Sequence, residues 1–189
     1  MKRKIAFFTG SRADYGLMKP LMERVVGDKN IIFSLIVTGS HLEKRFGNTW
    51  KQIQKDGFKI SSKFKILSDD DSPTGISQSL SRAVRKTSEV LHSLNPDLLV
   101  ILGDRYEALA AAQAAMIHKI PIAHIHGGES TFGLIDEAIR HSISKMSHLH
   151  FVSCQRYKKR LIQLGEKPNS VWNVGAIGYD NLITTNFLK

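Results

Sequence analysis

Charged and histidine side chains follow two short apolar runs in the middle of the chain. The first run, Leu98 to Leu102, stops at Gly103-Asp104-Arg105, and the second, Ile120 to Ile125, stops at His126-Gly127-Gly128-Glu129. Carboxylates and an imidazole can accept or release a proton, and an arginine can hold a phosphate through two parallel N–H groups. Side chains of these types, brought together, could move a proton on a substrate while binding its anionic part.

The pattern around these residues predicts elements that bring them together. Each apolar run has the length of a buried strand, and each is followed by a helical pattern, Tyr106 to His118 after the first and about Leu134 to Met146 after the second. In open parallel sheets, ligands bind just outside the carboxyl ends of the strands. We therefore expect the charged and histidine side chains that follow both runs to share one edge of a sheet.

A further place where an anion could bind is the turn after the first apolar run. Lys4 to Phe8 predicts a strand, and Thr9-Gly10-Ser11-Arg12 separates it from a helical pattern that contains Pro20. Backbone N–H groups at a strand-to-helix turn, together with the helix dipole, attract an anion, and Arg12 adds a full charge. An ordinary turn with a solvated Arg12 is the alternative. Pro20 indicates that the helix begins close to it or is kinked there, with Ser11 or Asp14 as its cap.

The remaining periodicity predicts an α/β fold with six or seven short strands that alternate with helices. By the crossover rule this is a doubly wound, mostly parallel, Rossmann-like sheet. The other predicted strands are Ile31–Val37, Phe58–Ile66, His150–Val152 and Ser170–Val174, and the other helices are Ile76–Leu94, Gln155–Leu164 and an unfinished one within 175–189.

Length and composition are those of an ordinary globular protein. The 189 residues suffice for one domain, or for one domain and part of another. A single cysteine, Cys154, excludes an internal disulfide and favours a reducing, cytoplasmic setting. No Cys/His cluster indicates a metal site, so we expect neither a metal nor a cofactor. The apolar run near the start is too short for a signal peptide, and none approaches the roughly 18 residues of a membrane helix.

The formal net charge of +10 favours an anionic partner, which could be a nucleic acid, a membrane surface or a small phosphorylated ligand. The densest basic patches are Lys2-Arg3-Lys4 and the segment from Arg156 to Arg160. Both are interpreted as solvated surface, because no nucleic-acid recognition signature accompanies them. The acidic segment Ser68 to Pro73 lacks the spacing of a calcium loop and is interpreted as a solvated loop. Neither nucleic acid nor membrane is an expected partner.

Six segments, taken in order along the whole chain, resemble the hydrolysing UDP-N-acetylglucosamine 2-epimerases of sialic-acid and related nonulosonic-acid biosynthesis. They are TGSRADYGLMKPLM near the start, VTGSHL at 37–42, LGDRYEALAAA at 102–112, IAHIHGGE at 122–129, IDEAIRHSISKMSHLHF at 135–151 and VGAIGYDNL at 174–182. The agreement of six separate motifs makes the resemblance specific.

The resemblance implies the N-terminal half of a glycosyltransferase-B-like two-domain fold, with the active site in the cleft between the domains. Residues 1–175 would form the N-terminal domain and residues 176–189 would begin the interdomain linker, while the family's C-terminal domain has no counterpart here. A full-length member is expected to be a homo-oligomer. The implied substrate is a UDP-sugar, which loses UDP by elimination across C1 and C2 and then adds water, giving N-acetylmannosamine.

The resemblance also assigns roles to individual residues. The acid and base carboxylates would be Asp104, Glu129 and the pair Asp136 and Glu137. His126 stands where relatives carry a glutamate, so it either takes a proton-transfer role or packs at a strand end. The residues that would bind the nucleotide are Gly10, Arg12, Arg105, Arg140 and His141, with Arg12 and Arg105 against the phosphates.

Two other functions stay open. The same chemistry could act on a diacetamido-bacillosamine nucleotide of the legionaminic-acid pathway, because no residue in these motifs reads the substituents at C4 or C6 of the sugar. Alternatively, the chain could be a non-catalytic module that binds a partner through its basic surface. We expect the isolated chain to be inactive and prone to self-association, because half of a two-domain site cannot exclude water or hold a nucleotide on both sides.

Overall fold

The computed structural model describes residues 2–180, in which seven strands form one parallel sheet. The strands are β1 (Arg3–Thr9), β2 (Ile31–Val37), β3 (Ser62–Lys63), β4 (Leu98–Leu102), β5 (Ile122–Ile125), β6 (Leu149–Val152) and β7 (Val171–Asn173). The helices are α1 (Arg12–Val26), α2 (Trp50–Lys55), α3 (Pro73–Leu94), α4 (Tyr106–Ile117), α5 (Asp136–Met146) and α6 (Gln155–Gln163). Short 3-10 helices lie at Gly39–Leu42, Lys44–Phe46 and Pro168–Ser170.

The strand order is β3-β2-β1-β4-β5-β6-β7, and every neighbouring pair is parallel. The predicted doubly wound α/β fold is therefore confirmed, with a sheet that is entirely parallel over the described residues. The order reverses between β1 and β4, where Ile5 pairs with Phe33 on one side and with Leu98 on the other. The chain leaves these two neighbouring strands in opposite directions, which opens a crevice at their carboxyl ends.

The two faces of the sheet are covered by different helices. On one face, Phe8 and Ile101 pack with buried residues of α3, α4 and α5. On the other face, Phe7 and Val37 pack with residues of α1 and with Ile53 of α2. The alanine-rich sequence of α4 suits its place, because small side chains let this helix lie close to the sheet and to α3 and α5.

The predicted strand Phe58–Ile66 is wrong over most of its length, because only Ser62 and Lys63 pair with β2. Phe58 and Ile66 are both buried, but they belong to different clusters, Phe58 on the α1 face and Ile66 beside α3 and α4. The apolar alternation in the sequence therefore arises because the segment passes the sheet edge from one core to the other, and not because it is a long strand.

One helix start confirms the predicted cap and another differs from expectation. The first helix begins at Arg12, and Ser11, one of the two predicted caps, forms a capping box with Asp14, so the helix starts well before Pro20 and not close to it. Helix α5 begins at Asp136 and not at about Leu134, and Ile135 just before it is 65% exposed, whereas Ile139 is buried. The unfinished helix expected within 175–189 begins at 178–180 and otherwise lies outside the described residues.

Three histidines, His41, His124 and His150, have no solvent-exposed surface. His124 lies in β5, where Nε2 donates to the carbonyl oxygen of Gly103 at 2.7 Å and Nδ1 lies 3.1 Å from Ser144 Oγ. Burial lowers the pKa of His124 to about 4, against the opposing effect of the Gly103 carbonyl. The neutral imidazole thus holds the turn between β4 and α4 in place at neutral pH.

We expect stability to fall as the pH falls from about 6.5 to about 4, because the unfolded state binds a proton on His124 before the folded state does. The unfolding free energy should drop by about 3 kcal/mol over this window from His124 alone, at 1.36 kcal/mol per pKa unit. Urea denaturation at a series of pH values measures it. His124→Gln should flatten the pH dependence, whereas His92→Gln, at an exposed position, should leave it unchanged. Equal pH dependence in His124→Gln and wild type would contradict the assignment.

Candidate active site

The guanidinium of Arg140 joins three segments at the carboxyl edge of the sheet. Arg140 lies in α5 and is 5% exposed. Its Nη2 pairs with the carboxylate of Asp104, which follows β4, and donates to Thr131 Oγ1 at 2.9 Å in the loop after β5. Its Nη1 donates to Glu137 Oε2 at 3.4 Å. Two of the predicted carboxylates are therefore drawn together by one buried cation.

Glu137 holds the loop between β5 and α5. Its carboxylate accepts from the backbone N–H of Thr131 at 2.6 Å and from Ser130 Oγ at 3.3 Å, and it lies 3.2 Å from His141 Nε2. The Thr131 N–H, with a smaller contribution from His141, lowers the pKa of Glu137 against a partial desolvation effect. Glu137 is consequently a carboxylate at neutral pH, suited to accept a proton or a hydrogen bond and not to donate one.

His126, Glu129 and Ser153 form a second chain of contacts at the same edge. His126 Nδ1 lies 3.2 Å from Glu129 Oε1, and Ser153 Oγ donates to the same oxygen at 2.7 Å. The other ring nitrogen, Nε2, is shielded from solvent and has no hydrogen-bond partner among the described residues. A histidine oriented by a carboxylate on one nitrogen and unpaired on the other has the hydrogen-bonding pattern of a general base, but this nitrogen must become accessible before it can meet a substrate.

The backbone of His126 adopts a conformation that few non-glycine residues do. Its φ angle is +64°, in the left-handed region. The backbone of this turn packs closely against α6. A Cβ on Gly128, which has a φ of +75°, would lie 2.7 Å from the carbonyl oxygen of Tyr157. Strained residues of this kind concentrate at functional sites, where the surrounding structure fixes their geometry.

The turn after β1 differs from the expected anion site in one respect. The backbone N–H groups of Gly10 and Ser11 are not free, because they donate to Asp14 Oδ2 at 3.1 and 3.0 Å. The capping box thus takes up the donors that an anion would use, and the expectation of free N–H groups here is wrong. The Arg12 side chain is exposed and has no hydrogen-bond partner in the described part of the chain, so it remains able to contact an anion.

Arg105 is held by a residue that the sequence analysis missed. Glu107 accepts from Arg105 Nε at 3.2 Å and from Nη2 at 3.1 Å, and the Glu107 side chain is 1% exposed. Burial raises the pKa of Glu107, while the adjacent Arg105 acts in the opposite direction. The only signal in the sequence was a lone acidic residue in the first turn of an alanine-rich helix, which is also ordinary for a helix N-terminus.

The predicted site residues thus fall into three connected groups and two single residues. Asp104, Glu137, Arg140 and His141 form one network, His126 and Glu129 a second, and Arg105 belongs to a third beside the Gly10 turn. The side chains of Asp136 and Arg12 make no hydrogen bond or ion pair within residues 2–180. Over the same residues, no group of three or more His, Cys, Asp or Glu side chains could hold a metal ion, and no helix is long and apolar enough to cross a membrane.

Residues 23–188 match a family model described as UDP-N-acetylglucosamine 2-epimerase. A protein of Campylobacter jejuni named GDP/UDP-N,N'-diacetylbacillosamine 2-epimerase (hydrolyzing) is 46% identical over 100% of this chain and 49% of its own length. A Legionella pneumophila protein named UDP-N,N'-diacetylbacillosamine 2-epimerase (hydrolyzing) is 42% identical over 97% and 48%. The UDP-N-acetylglucosamine 2-epimerase of Neisseria meningitidis is 35% identical over 94% and 46%. The chain therefore spans about half the length of these curated relatives.

Solved structures share the fold at lower identity. The Neisseria meningitidis UDP-GlcNAc 2-epimerase bound to UDP-GlcNAc matches with a TM-score of 0.84 and 23% identity, over 95% of this chain and 48% of that one. The Methanocaldococcus jannaschii UDP-GlcNAc 2-epimerase in complex with UDP-GlcNAc and UDP matches with a TM-score of 0.82 and 22% identity, over 95% and 49%. The seven-stranded sheet thus corresponds to about half of each of these chains.

Removing the cation of Arg140 should destabilise the protein, because it leaves Asp104 and Glu137 facing each other without a counter-charge. For Arg140→Met we expect a loss of about 2 kcal/mol, below the 3–5 kcal/mol of a fully buried pair because both carboxylates retain some exposure. Arg156→Met, at an exposed position of α6, is the matched control and should change stability by less than about 0.5 kcal/mol. Urea denaturation of the wild type and of both variants measures the change in stability. Equal denaturation midpoints for Arg140→Met and the wild type would show that the Arg140 network does not stabilise the fold.

Proposed function

The chain belongs to the UDP-N-acetylglucosamine 2-epimerase family, and on that premise we propose that it supplies the proton-transfer groups of a hydrolysing 2-epimerase of UDP-linked 2-acetamido sugars. A base removes the proton at C2 and UDP departs from C1 with the bonding electrons, leaving a glycal. Water then adds its hydroxyl to C1, and C2 receives a proton from the opposite face. The observation that carries this proposal is the set of carboxylates and histidines that the ends of β4 and β5 and the start of α5 hold on one edge.

We assign the removal of the C2 proton to His126. Its Nε2 is unpaired within residues 2–180 but shielded from solvent, so this role requires the ring to turn Nε2 toward the sugar when the substrate binds. The Glu129 carboxylate at Nδ1 stabilises the imidazolium that forms. Ser153 keeps Glu129 aimed at the ring through its 2.7 Å hydrogen bond. The left-handed backbone conformation of His126 fits this role, because strained residues of this kind concentrate at functional sites.

Asp104 and the first turn of α5 serve the second half-reaction. Asp104 is fixed by Arg140 at the carboxyl end of β4, where it can orient or deprotonate the incoming water. Glu137 is ionised, and the Asp136 side chain has no partner within residues 2–180. Either carboxylate can accept the proton that water loses and deliver it to C2 on the face opposite His126, while His126 releases the proton it took to solvent. Arg12 and Arg105 contact the diphosphate that departs in the first step.

The sugar is proposed to be N,N'-diacetylbacillosamine, with N-acetylglucosamine as the second candidate. The relatives at 46% and 42% identity are named for the former, and the Neisseria meningitidis relative named for the latter is 35% identical. This ranking departs from the sequence motifs alone, which favoured N-acetylglucosamine.

The test is to incubate the complete gene product in D₂O with each of the two UDP-sugars and to follow both released UDP and the free sugar by NMR. The free sugar should be the C2 epimer with one deuterium at C2, and kcat/KM should be higher for the diacetamido substrate. Release of UDP without deuterium at C2 would indicate plain hydrolysis and refute the elimination. A preference for UDP-N-acetylglucosamine would refute only the choice of sugar.

Neutralising the carboxylates should abolish turnover without unfolding the protein. For Asp104→Asn and Glu129→Gln we expect kcat to fall by about a hundredfold to ten-thousandfold, the range that a positioned acid or base contributes. Glu89→Gln, an exposed carboxylate on α3 that pairs only with neighbouring basic residues, is the control and should retain wild-type kcat. Circular dichroism verifies the fold of each variant. Near wild-type rates in both site variants would remove these residues from the mechanism.

A further inference from the structure

Glu107 is a buried carboxylate that no step of the proposed reaction uses. We propose that Glu107 is a positioning residue, which holds the guanidinium of Arg105 against the turn after β1 so that it meets the diphosphate of the nucleotide sugar. This inference rests on the proposed function, because it names the residue that prepares the phosphate contact of that site.

The contact between the two side chains is a two-point contact. Both carboxylate oxygens of Glu107 accept from Arg105, one from Nε at 3.2 Å and the other from Nη2 at 3.1 Å. The Glu107 side chain is 1% exposed, whereas that of Arg105 is 45% exposed. The guanidinium is therefore anchored from the protein side and open on the other. A guanidinium has five N–H groups, so those that Glu107 does not use remain for a phosphate.

The space around Glu107 is closed by two glycines from other turns. A Cβ on Gly10, after β1, would lie 3.2 Å from the Cβ of Glu107. A Cβ on Gly39, after β2, would lie 3.1 Å from Glu107 Oε1 and 2.4 Å from the carbonyl oxygen of Gly10, and the φ of Gly39 is +60°. The turns after β1, β2 and β4 thus meet at the carboxylate of Glu107. A larger residue at Gly10 or Gly39 would disturb this close packing.

The position of this contact in the fold points to a ligand. The turns after β1 and β4 flank the reversal of strand order, which is where open α/β sheets bind their ligands. A buried carboxylate is costly, and an apolar residue could fill the same space, so stability alone does not favour Glu107. Fixing a flexible arginine before the ligand arrives lowers the entropy that binding must overcome. The Arg105–Glu107 contact therefore suits preorganised recognition of an anion.

A double-mutant cycle tests the inference in the complete gene product. UDP is the probe, and its Kd is measured by calorimetry for wild type, Arg105→Ala, Glu107→Gln and the double variant, with kcat and KM alongside. Each single variant should weaken UDP binding about tenfold, and the double variant should bind no more weakly than Arg105→Ala, because Glu107 acts only through Arg105. Unchanged affinity in Glu107→Gln, or effects that multiply in the double variant, would overturn the inference.

Two further measurements separate positioning from folding. Glu166→Gln removes another largely buried carboxylate, which pairs with Lys145, and it should lower thermal stability without changing UDP affinity. If Glu107→Gln does not fold, Arg105→Lys replaces it, since a lysine keeps the charge but cannot make the two-point contact. The Arg105→Lys variant should bind UDP nearly as weakly as the Arg105→Ala variant. A UDP affinity of Arg105→Lys equal to that of the wild type would refute the inference. If the wild-type protein does not bind UDP, the proposed function is refuted together with this inference. If UDP binds to the wild type and its affinity does not change in Glu107→Gln, only this inference is refuted.

Discussion

Parallel pairing of all seven strands is the constraint on which the rest of this molecule depends. Because every strand points the same way, every strand-to-helix turn lies on one edge, and residues far apart in sequence become neighbours there. The reversal of order between β1 and β4 then separates two adjacent turns and leaves a crevice between them. Arg12, Asp104, His126 and Arg140 share this edge for topological reasons, before any specific contact between them forms.

Specific contacts then convert this shared edge into a site with defined charges. Arg105 and Arg140 are used in opposite ways. Arg140 is buried and its carboxylate partners Asp104 and Glu137 are the more exposed groups, whereas Glu107 is buried and its partner Arg105 is the more exposed one. One arrangement presents negative groups to the crevice and the other presents a positive group. The same type of ion pair thus leaves carboxylates partly exposed at one place on this edge and a guanidinium partly exposed at another.

How much of this could be predicted from the sequence depended on the range of the interaction. Apolar runs bounded by polar turns correctly indicated β2, β4 and β5, since a strand composed mainly of apolar residues can be recognised from its own composition. The prediction of a strand over Phe58–Ile66 was wrong, because alternating apolar residues indicate which side chains are buried but not which of the two cores each side chain enters. At the site, the GDR and HGGE motifs located residues at strand ends, but Asp14 taking the N–H groups of Gly10 and Ser11, and Glu107 reaching Arg105, depend on side-chain geometry that spacing does not encode.

The central position of β1 also determines the order in which the sheet can be assembled. Strand β1 pairs with β2, which follows closely in the chain, but its other edge pairs with β4, where the partner of Ile5 is Leu98, 93 positions later. During synthesis at about 5–20 residues per second, that edge stays open for roughly 5–20 s. An open edge in an apolar strand such as KIAFF can recruit a strand of another chain. The nascent polypeptide is therefore most exposed to misassembly before the GDR turn has left the ribosome, because this turn directly follows the strand that pairs with the open edge of β1.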